Sequence, residues 1–423
     1  MFLIRRAKNE DIPTLLKLAR MVHFINLPAD PQLIGERVQW SRSCFLLAAD
    51  EEAGTAKRVA VKAAPAPAPG KRKPTGHGAS SVLSGGLAGL AGKSPLFMFV
   101  MEDLDGGGGV VGTSQIIAQM GGPGEPNVSL QLTRREMFSQ SLQTGVTHTV
   151  ARLHLDETGP TEVGGLILQP SLRGHKAKLG RFLAMVRFHF MGLHRPLFSS
   201  RVLAELMGPI SIDGENPFWD HCTRCFINMT YAEADRFCQQ SKEFLLTLFP
   251  RDDIYLTLLP PQARSVVGTV GPETAPARRM LEGLGFKYHN RVDPFDGGPH
   301  LEAAMDDLAP VKATRRVRLG DPTDTDVNGP SPAWGMVSTL DDDGEFRAVQ
   351  TPVDFDRSGR LLLPRGAMTV LAAAPGVEAG FTPIDAPFTP HAAPRSVSAE
   401  PSPATARRKK PRSRPQAAGA ARA

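Results

Sequence analysis

Between residues 163 and 193 the chain spells out a strand, a polar loop and a helix in immediate succession, and this order restricts the fold more than any other feature. Val163-Gly164-Gly165-Leu166-Ile167-Leu168 is a short apolar run closed by Pro170. After the loop Ser171-Leu172-Arg173-Gly174-His175-Lys176-Ala177-Lys178, the apolar residues Leu179, Phe182, Leu183, Val186, Phe190 and Leu193 recur at helical spacing. A strand that feeds a helix through a loop rich in Gly and basic residues aims backbone N–H groups and a helix dipole at an anion, although such loops also arise from turn geometry alone.

The rest of the chain repeats this alternation. Phe2 to Ala7 alternates like a strand, and Ile12, Leu15, Leu16, Ala19 and Val22 follow at helical intervals. Phe97 to Met101 and Val110 to Ile117 flank Asp105-Gly106-Gly107-Gly108-Gly109, which reads as a hairpin turn; without a following Lys-Ser/Thr it is not a phosphate loop. Val202 to Met207 reads as a further strand, and Thr274 to Phe286 as a helix with a capping Thr, an early Pro and a Gly stop. These elements predict an α/β (α+β) fold, a mixed sheet flanked by helices, over residues 1–50 and 95–308. From 309 to 385, short strands around Ala333 to Ser338, Phe346 to Val349 and Leu361 to Leu363 predict a small β-rich domain.

Composition matters where the pattern stops. Residues 51–94 are Ala/Pro/Gly-rich without apolar periodicity, as are 386–423, so both are expected to be disordered. They also carry the positive charge. The whole chain is formally +6, but outside 51–94 and 391–423 there are 34 basic and 40 acidic residues, so the folded part is acidic. The run Arg407-Arg408-Lys409-Lys410-Pro411-Arg412 has no interleaved aromatic residues, which limits it to weak nonspecific contact with nucleic acid. No stretch is apolar enough to predict a membrane span, and four cysteines cannot make a disulfide framework. The expectation is a cytoplasmic protein, with homo-oligomerisation left open. His221-Cys222-Thr223-Arg224-Cys225 and Cys238 lack the spacing of a four-ligand zinc site, and no metal is expected.

At Leu166, the basic loop and the segment Ala277 to Phe286, the chain resembles the acyl-CoA N-acyltransferase superfamily. Further blocks are more specific: Val202-Leu203-Ala204-Glu205-Leu206-Met207-Gly208, Asn216-Pro217-Phe218-Trp219, Thr274-Ala275-Pro276-Ala277-Arg278 and Phe295-Asp296-Gly297-Gly298-Pro299-His300-Leu301-Glu302. With these the chain resembles the arginine N-succinyltransferase family. The resemblance implies an acyl-CoA N-acyltransferase-like fold and transfer of a succinyl group from succinyl-CoA to the α-amino group of L-arginine in arginine catabolism. It implies that Leu166 contacts the CoA moiety, and that Arg173 with the amides of Lys178, Leu179 and Gly180 holds its pyrophosphate. Asp296 and Glu302 become candidates for the substrate guanidinium. Two departures accompany it. The loop after Arg173 is longer than the superfamily's Arg-x-x-Gly-x-Gly, and the family's proton-donating histidine is replaced by Gly271. His300, Glu205 and Glu273 are the candidates to handle protons in its stead. A different acyl-CoA or amine remains open, as does a CoA-binding regulatory protein without catalysis.

Overall fold

The computed structural model describes residues 1–21, 27–52, 94–211, 214–238, 241–323 and 333–384. The two stretches expected to be disordered lie almost wholly outside the described residues. Of them, only Glu51 and Glu52, at the end of a helix, and Ser94 fall within it.

Three helices and fifteen strands carry the argument. The chain opens with β1 (Phe2–Arg6), α1 (Ile12–Arg20) and α2 (Pro31–Glu52), then a run of strands: β2 (Leu96–Asp103), β3 (Gly109–Ile117), β4 (Asn127–Ser139), β5 (Thr144–Asp156) and β6 (Thr161–Leu168). Helix α3 (Leu179–Leu193) leads to β7 (Arg201–Glu205). After a helical segment come β8 (Ile254–Tyr255), β9 (Lys287–Val292) and β10 (Pro299–Ala304). The last are β11 (Arg315–Arg318), β12 (Ala333–Leu340), β13 (Phe346–Phe355), β14 (Leu361–Leu362) and β15 (Glu378–Ile384).

All belong to one mixed sheet, ordered β11-β15-β12-β13-β1-β2-β3-β6-β7-β10-β9-β4-β5-β8, with β14 beside β13. Among the described strands, only β6 and β7 pair in parallel, and the helix α3 connects them as such a crossover requires. β2 is buried on both faces: Leu96, Met98 and Val100 join one core cluster, and Phe97, Phe99 and Met101 another. In the latter, the Phe45 ring of α2 lies 5.2 Å from Phe97 and 5.4 Å from Phe190 of α3, while Phe346 of β13 lies 5.4 Å from Phe99. Edge-on aromatic packing therefore ties both helices to the sheet.

Among the described residues after 309, the strands β11 to β15 extend the main sheet. β13 pairs with β1, Leu3 opposite Val349, and Met1–Pro387 makes one compact unit. The reason is burial: Leu3, Val337, Val349, Val353 and Phe381 share one apolar cluster, so β1 completes the core of the later strands. The long hairpin β4–β5, paired from Asn127–Asp156 to Ser139–Thr144, is an element the sequence reading did not identify.

Candidate active site

The site begins where β6 and β7 part. They pair only at Thr161–Val202 and Glu162–Leu203; beyond that, β6 continues against β3 to Leu168 and β7 against β10 to Glu205. At the divergence β6 is bulged. Thr113 faces Ile167 and Gln115 faces Gly164, so Gly165 and Leu166 together oppose Ser114. Gly165 has φ +56°, and a Cβ there would stand 2.8 Å from Gln115 Nε2. Only glycine suits that conformation and that approach. The bulge turns the backbone at Leu166, a half-buried residue packed on the core, out of the regular ladder.

The loop that follows makes a 3-10 turn at Pro170–Leu172 and ends with Lys178 in the left-handed region, φ +50°, just before α3. The Phe182 N–H bonds to the Lys178 carbonyl at 3.1 Å, so α3 starts abruptly and the amides of Leu179 and Gly180 stand in its first turn. A Cβ on Gly180 would meet only Leu168 Cδ2, at 3.9 Å. Arg173 is ion-paired with Glu273, and both are exposed. Glu273 thus stands beside the donor loop, away from the carboxylates near His300.

Gly271 lies at the end of β7: its N–H points to the Met207 carbonyl at 3.4 Å. A Cβ there would find Gly208 O at 3.5 Å and Pro209 Cα at 3.7 Å, ordinary contacts, although Gly271 itself is buried.

On the other side of β7, the quoted sequence blocks converge. Asn216 donates from Nδ2 to the carbonyls of Pro209 (2.9 Å) and Asp296 (3.1 Å), and its Oδ1 accepts the Trp219 N–H at 2.8 Å. Trp219 stacks on Phe295 with centroids 4.9 Å apart. β10 sets His300 directly opposite Glu205 of β7. His300 Nε2 lies 3.9 Å from both Glu205 Oε1 and Asp293 Oδ2, and these three residues are the one metal-compatible cluster among the described residues. The structure therefore brings together His300 and Glu205 and adds Asp293, which the sequence reading missed. Its signal was present in Asp293-Pro294-Phe295-Asp296: Asp293 Oδ1 accepts the Phe295 N–H at 2.6 Å, a turn cap that leaves Oδ2 facing His300. Asn127, also missed, donates to Glu205 Oε1 at 2.9 Å. All four cysteines are free thiols, and Cys238 lies close enough to Asp293 and Glu205 to feel their charge.

Asp296 and Glu302 are engaged within the protein. Asp296 is buried, its two oxygens accepting the N–H groups of Gly208 (2.9 Å) and Gly298 (2.7 Å). Burial, reinforced by the neighbouring Asp293 charge, pushes its pKa up to about 7. Glu302 accepts from Arg291 at 2.7 Å and Arg201 at 3.2 Å, in a network that includes Asp156. Tyr231, buried behind the cluster, has its phenol pKa raised by burial and by Asp296 and Asp293. Burial alone would lower the pKa of His300, but Glu205, Asp293 and Asp296 outweigh it and raise it.

Comparison with known proteins agrees with this architecture. The family model for the arginine N-succinyltransferase beta subunit matches residues 87–310, which contain every residue of the site. The arginine N-succinyltransferase of Enterobacter sp. is 37% identical over 226 residues, 53% of this chain and 64% of that protein. That of Yersinia enterocolitica is 35% identical over 286 residues, 67% of this chain and 79% of that one. In fold, the arginine/ornithine succinyltransferase subunit AI from Pseudomonas aeruginosa superposes with a TM-score of 0.67 at 23% identity, covering 90% of this chain and 98% of its own. The match to more than half of the chain, with the site inside it, makes this chain a member of the arginine N-succinyltransferase family, a family of acyltransferases.

Proposed function

We propose that the chain transfers a succinyl group from succinyl-CoA to the α-amino group of L-arginine. The observation that carries this reading is the bulge at Gly165–Leu166, set where β6 leaves β7 and followed at once by the start of α3. A bulged strand offers a backbone N–H at Leu166 to the thioester oxygen, which becomes an oxyanion as the amine adds. The first turn of α3, with Leu179 and Gly180 at its start and Lys178 preceding it, supplies amides and dipole to the CoA pyrophosphate. Arg173 adds positive charge at the same loop, moderated by Glu273.

Gly271 has no proton to give. An alkyl thiol with a pKa of about 8.5 departs as thiolate without obligatory protonation, so the reaction proceeds with the loss of a factor on the order of 10²–10⁴. His300 and Glu205 are then the groups to handle the protons of the incoming amine.

Thiol release from a panel of acyl-CoAs, each with L-arginine, L-ornithine or neither, tests the reading. Release from succinyl-CoA that depends on arginine is the expected result; ornithine belongs in the panel because the Pseudomonas neighbour is named for both amines. Release with another acyl-CoA only would change the donor. CoA binding without release from any pair would point to a regulatory CoA-binding protein.

A further inference from the structure

His300 is 2% exposed, and its Nε2 has no hydrogen-bond partner, the 3.9 Å gaps to Glu205 and Asp293 being too long for one. A buried ring nitrogen between two carboxylates without touching either leaves a place for a donor that reaches all three. The spacing falls between what a metal ion and an ammonium would set, and acyl transfer, which must take a proton from an amine, favours the ammonium. Ligands about 2.1 Å from a tetrahedral zinc stand about 3.4 Å apart, closer than these groups do. An ammonium nitrogen that donates three tetrahedral N–H bonds of about 2.8 Å sets its acceptors about 4.6 Å apart. Here two separations are 3.9 Å and all lie within 4.8 Å. The acceptors are held in place, Glu205 by Asn127 and Asp293 by the Phe295 amide.

Resting on the succinyl-transfer reading, we infer that Glu205, Asp293 and His300 are the seat of the acceptor's α-ammonium group, and that His300 is the base that frees its lone pair. One proton passes from the ammonium nitrogen to Nε2. The lone pair attacks the thioester carbonyl carbon, the C–N bond forms and the C–S bond breaks, with sulfur leaving as thiolate. The nitrogen gives its second proton to that thiolate, and His300 returns the first to water. The sum is an amide, a CoA thiol and one proton.

His300 must be neutral to act. The charged or titratable groups that face it are Glu205 from β7 and Asp293 and Asp296 from the loop before β10; behind them, on the helix Tyr231–Cys238, stand Tyr231, Asp235 and Cys238, with Lys242 beyond. In the free enzyme the three carboxylates favour imidazolium. An arriving ammonium offsets their charge and repels imidazolium, so substrate binding expels the proton, and arginine binds more weakly as pH falls through the His300 pKa.

The test uses the full chain with succinyl-CoA, L-arginine and 5-guanidinopentanoate, which is arginine without its α-amino group. Asp293→Asn is expected to raise the KM for arginine about tenfold or more while leaving the KM for succinyl-CoA and the inhibition constant of 5-guanidinopentanoate unchanged. His300→Gln, or His300→Asn if the first fails to fold, is expected to lower kcat by about 10²–10⁴ and to remove the acid limb of kcat/KM for arginine. Equal weakening of both ligands by Asp293→Asn would overturn the inference, as would inactivation of the parent enzyme by a chelator with recovery on added zinc. Calorimetry separates this inference from the reading it rests on. A preference for arginine over 5-guanidinopentanoate that Asp293→Asn abolishes supports the seat even where no acyl-CoA is turned over, and absence of that preference in the parent overturns it.

Discussion

At the scale of single residues, two glycines carry opposite expectations. Gly180 begins α3 with little near its absent Cβ, so Gly180→Asp folds, and its new carboxylate stands where phosphate oxygens approach. The KM for succinyl-CoA should rise about tenfold or more while that for arginine stays put, measured by thiol release at saturating co-substrate. An unchanged donor KM would remove α3 from the CoA site. Gly271 is buried but accepts a Cβ at ordinary contact distances, and its backbone faces Met207, just past β7. Gly271→His should raise kcat, by at most about 10²–10⁴, because an imidazole near neutral pKa can protonate the departing sulfur. A flat kcat would mean that thiolate departure does not limit turnover. The site was half legible at this scale. His300 and Glu205 stood in recognisable blocks, but Asp293 becomes visible only when the Asp-Pro-Phe-Asp turn folds back onto β10. For Asp296 and Glu302 the sequence suggested carboxylates for a substrate, whereas the fold engages one with two backbone amides and the other with two arginines.

At the scale of elements, the bulge in β6 is the part on which acyl transfer most depends. Gly165→Ala forces a side chain into φ +56° and against the buried Gln115 amide, a strain of about 1–3 kcal/mol. The strand can relieve it only by straightening the bulge. The expected outcome is a fall in kcat with succinyl-CoA binding retained, because the helix that holds the pyrophosphate is separate from the bulge; single-turnover acyl transfer would read it. If kcat survives, the Leu166 N–H is not the oxyanion donor. Elements with strong periodicity were readable in advance: α3 runs over Leu179–Leu193 as its apolar spacing requires, and β2 and β3 flank the glycine turn as the alternation implies. The bulge was not, because a register shift between Thr113 and Gln115 belongs to the pairing of two strands and leaves no mark in either alone. β4 and β5 escaped for a related reason: their outer halves are exposed, so alternation there buries little.

At the scale of the molecule, one buried side chain joins the first half of the sheet to the strands that close it. His189 of α3 bonds Thr382 of β15 at 2.6 Å and Ser338 of β12 at 2.7 Å, with no exposure to water. Burial first, and the nearby His194 second, lower its pKa to about 3; His194, buried beside Phe190, is lowered to about 4. Both must stay neutral in the folded protein, whereas in the unfolded chain each takes up a proton near its ordinary value of about 6.5. Stability from these two groups is therefore full above about pH 6.5 and is lost as pH falls, towards about 4 for His194 and about 3 for His189, at about 1.4 kcal/mol per pH unit for each. Chemical denaturation at pH 7 and pH 5 should show a loss of about 2 kcal/mol per histidine. His189→Gln keeps partners for Ser338 and Thr382 while removing the titration, so it should be modestly destabilised at pH 7 and lose about half of the acid sensitivity. His189→Ala leaves the buried Ser338 hydroxyl without this partner, while Thr382 keeps Thr314 at 2.6 Å, and should cost about 1–3 kcal/mol at pH 7. If both variants keep the parent's full slope between pH 7 and 5, the acid sensitivity lies elsewhere than His189.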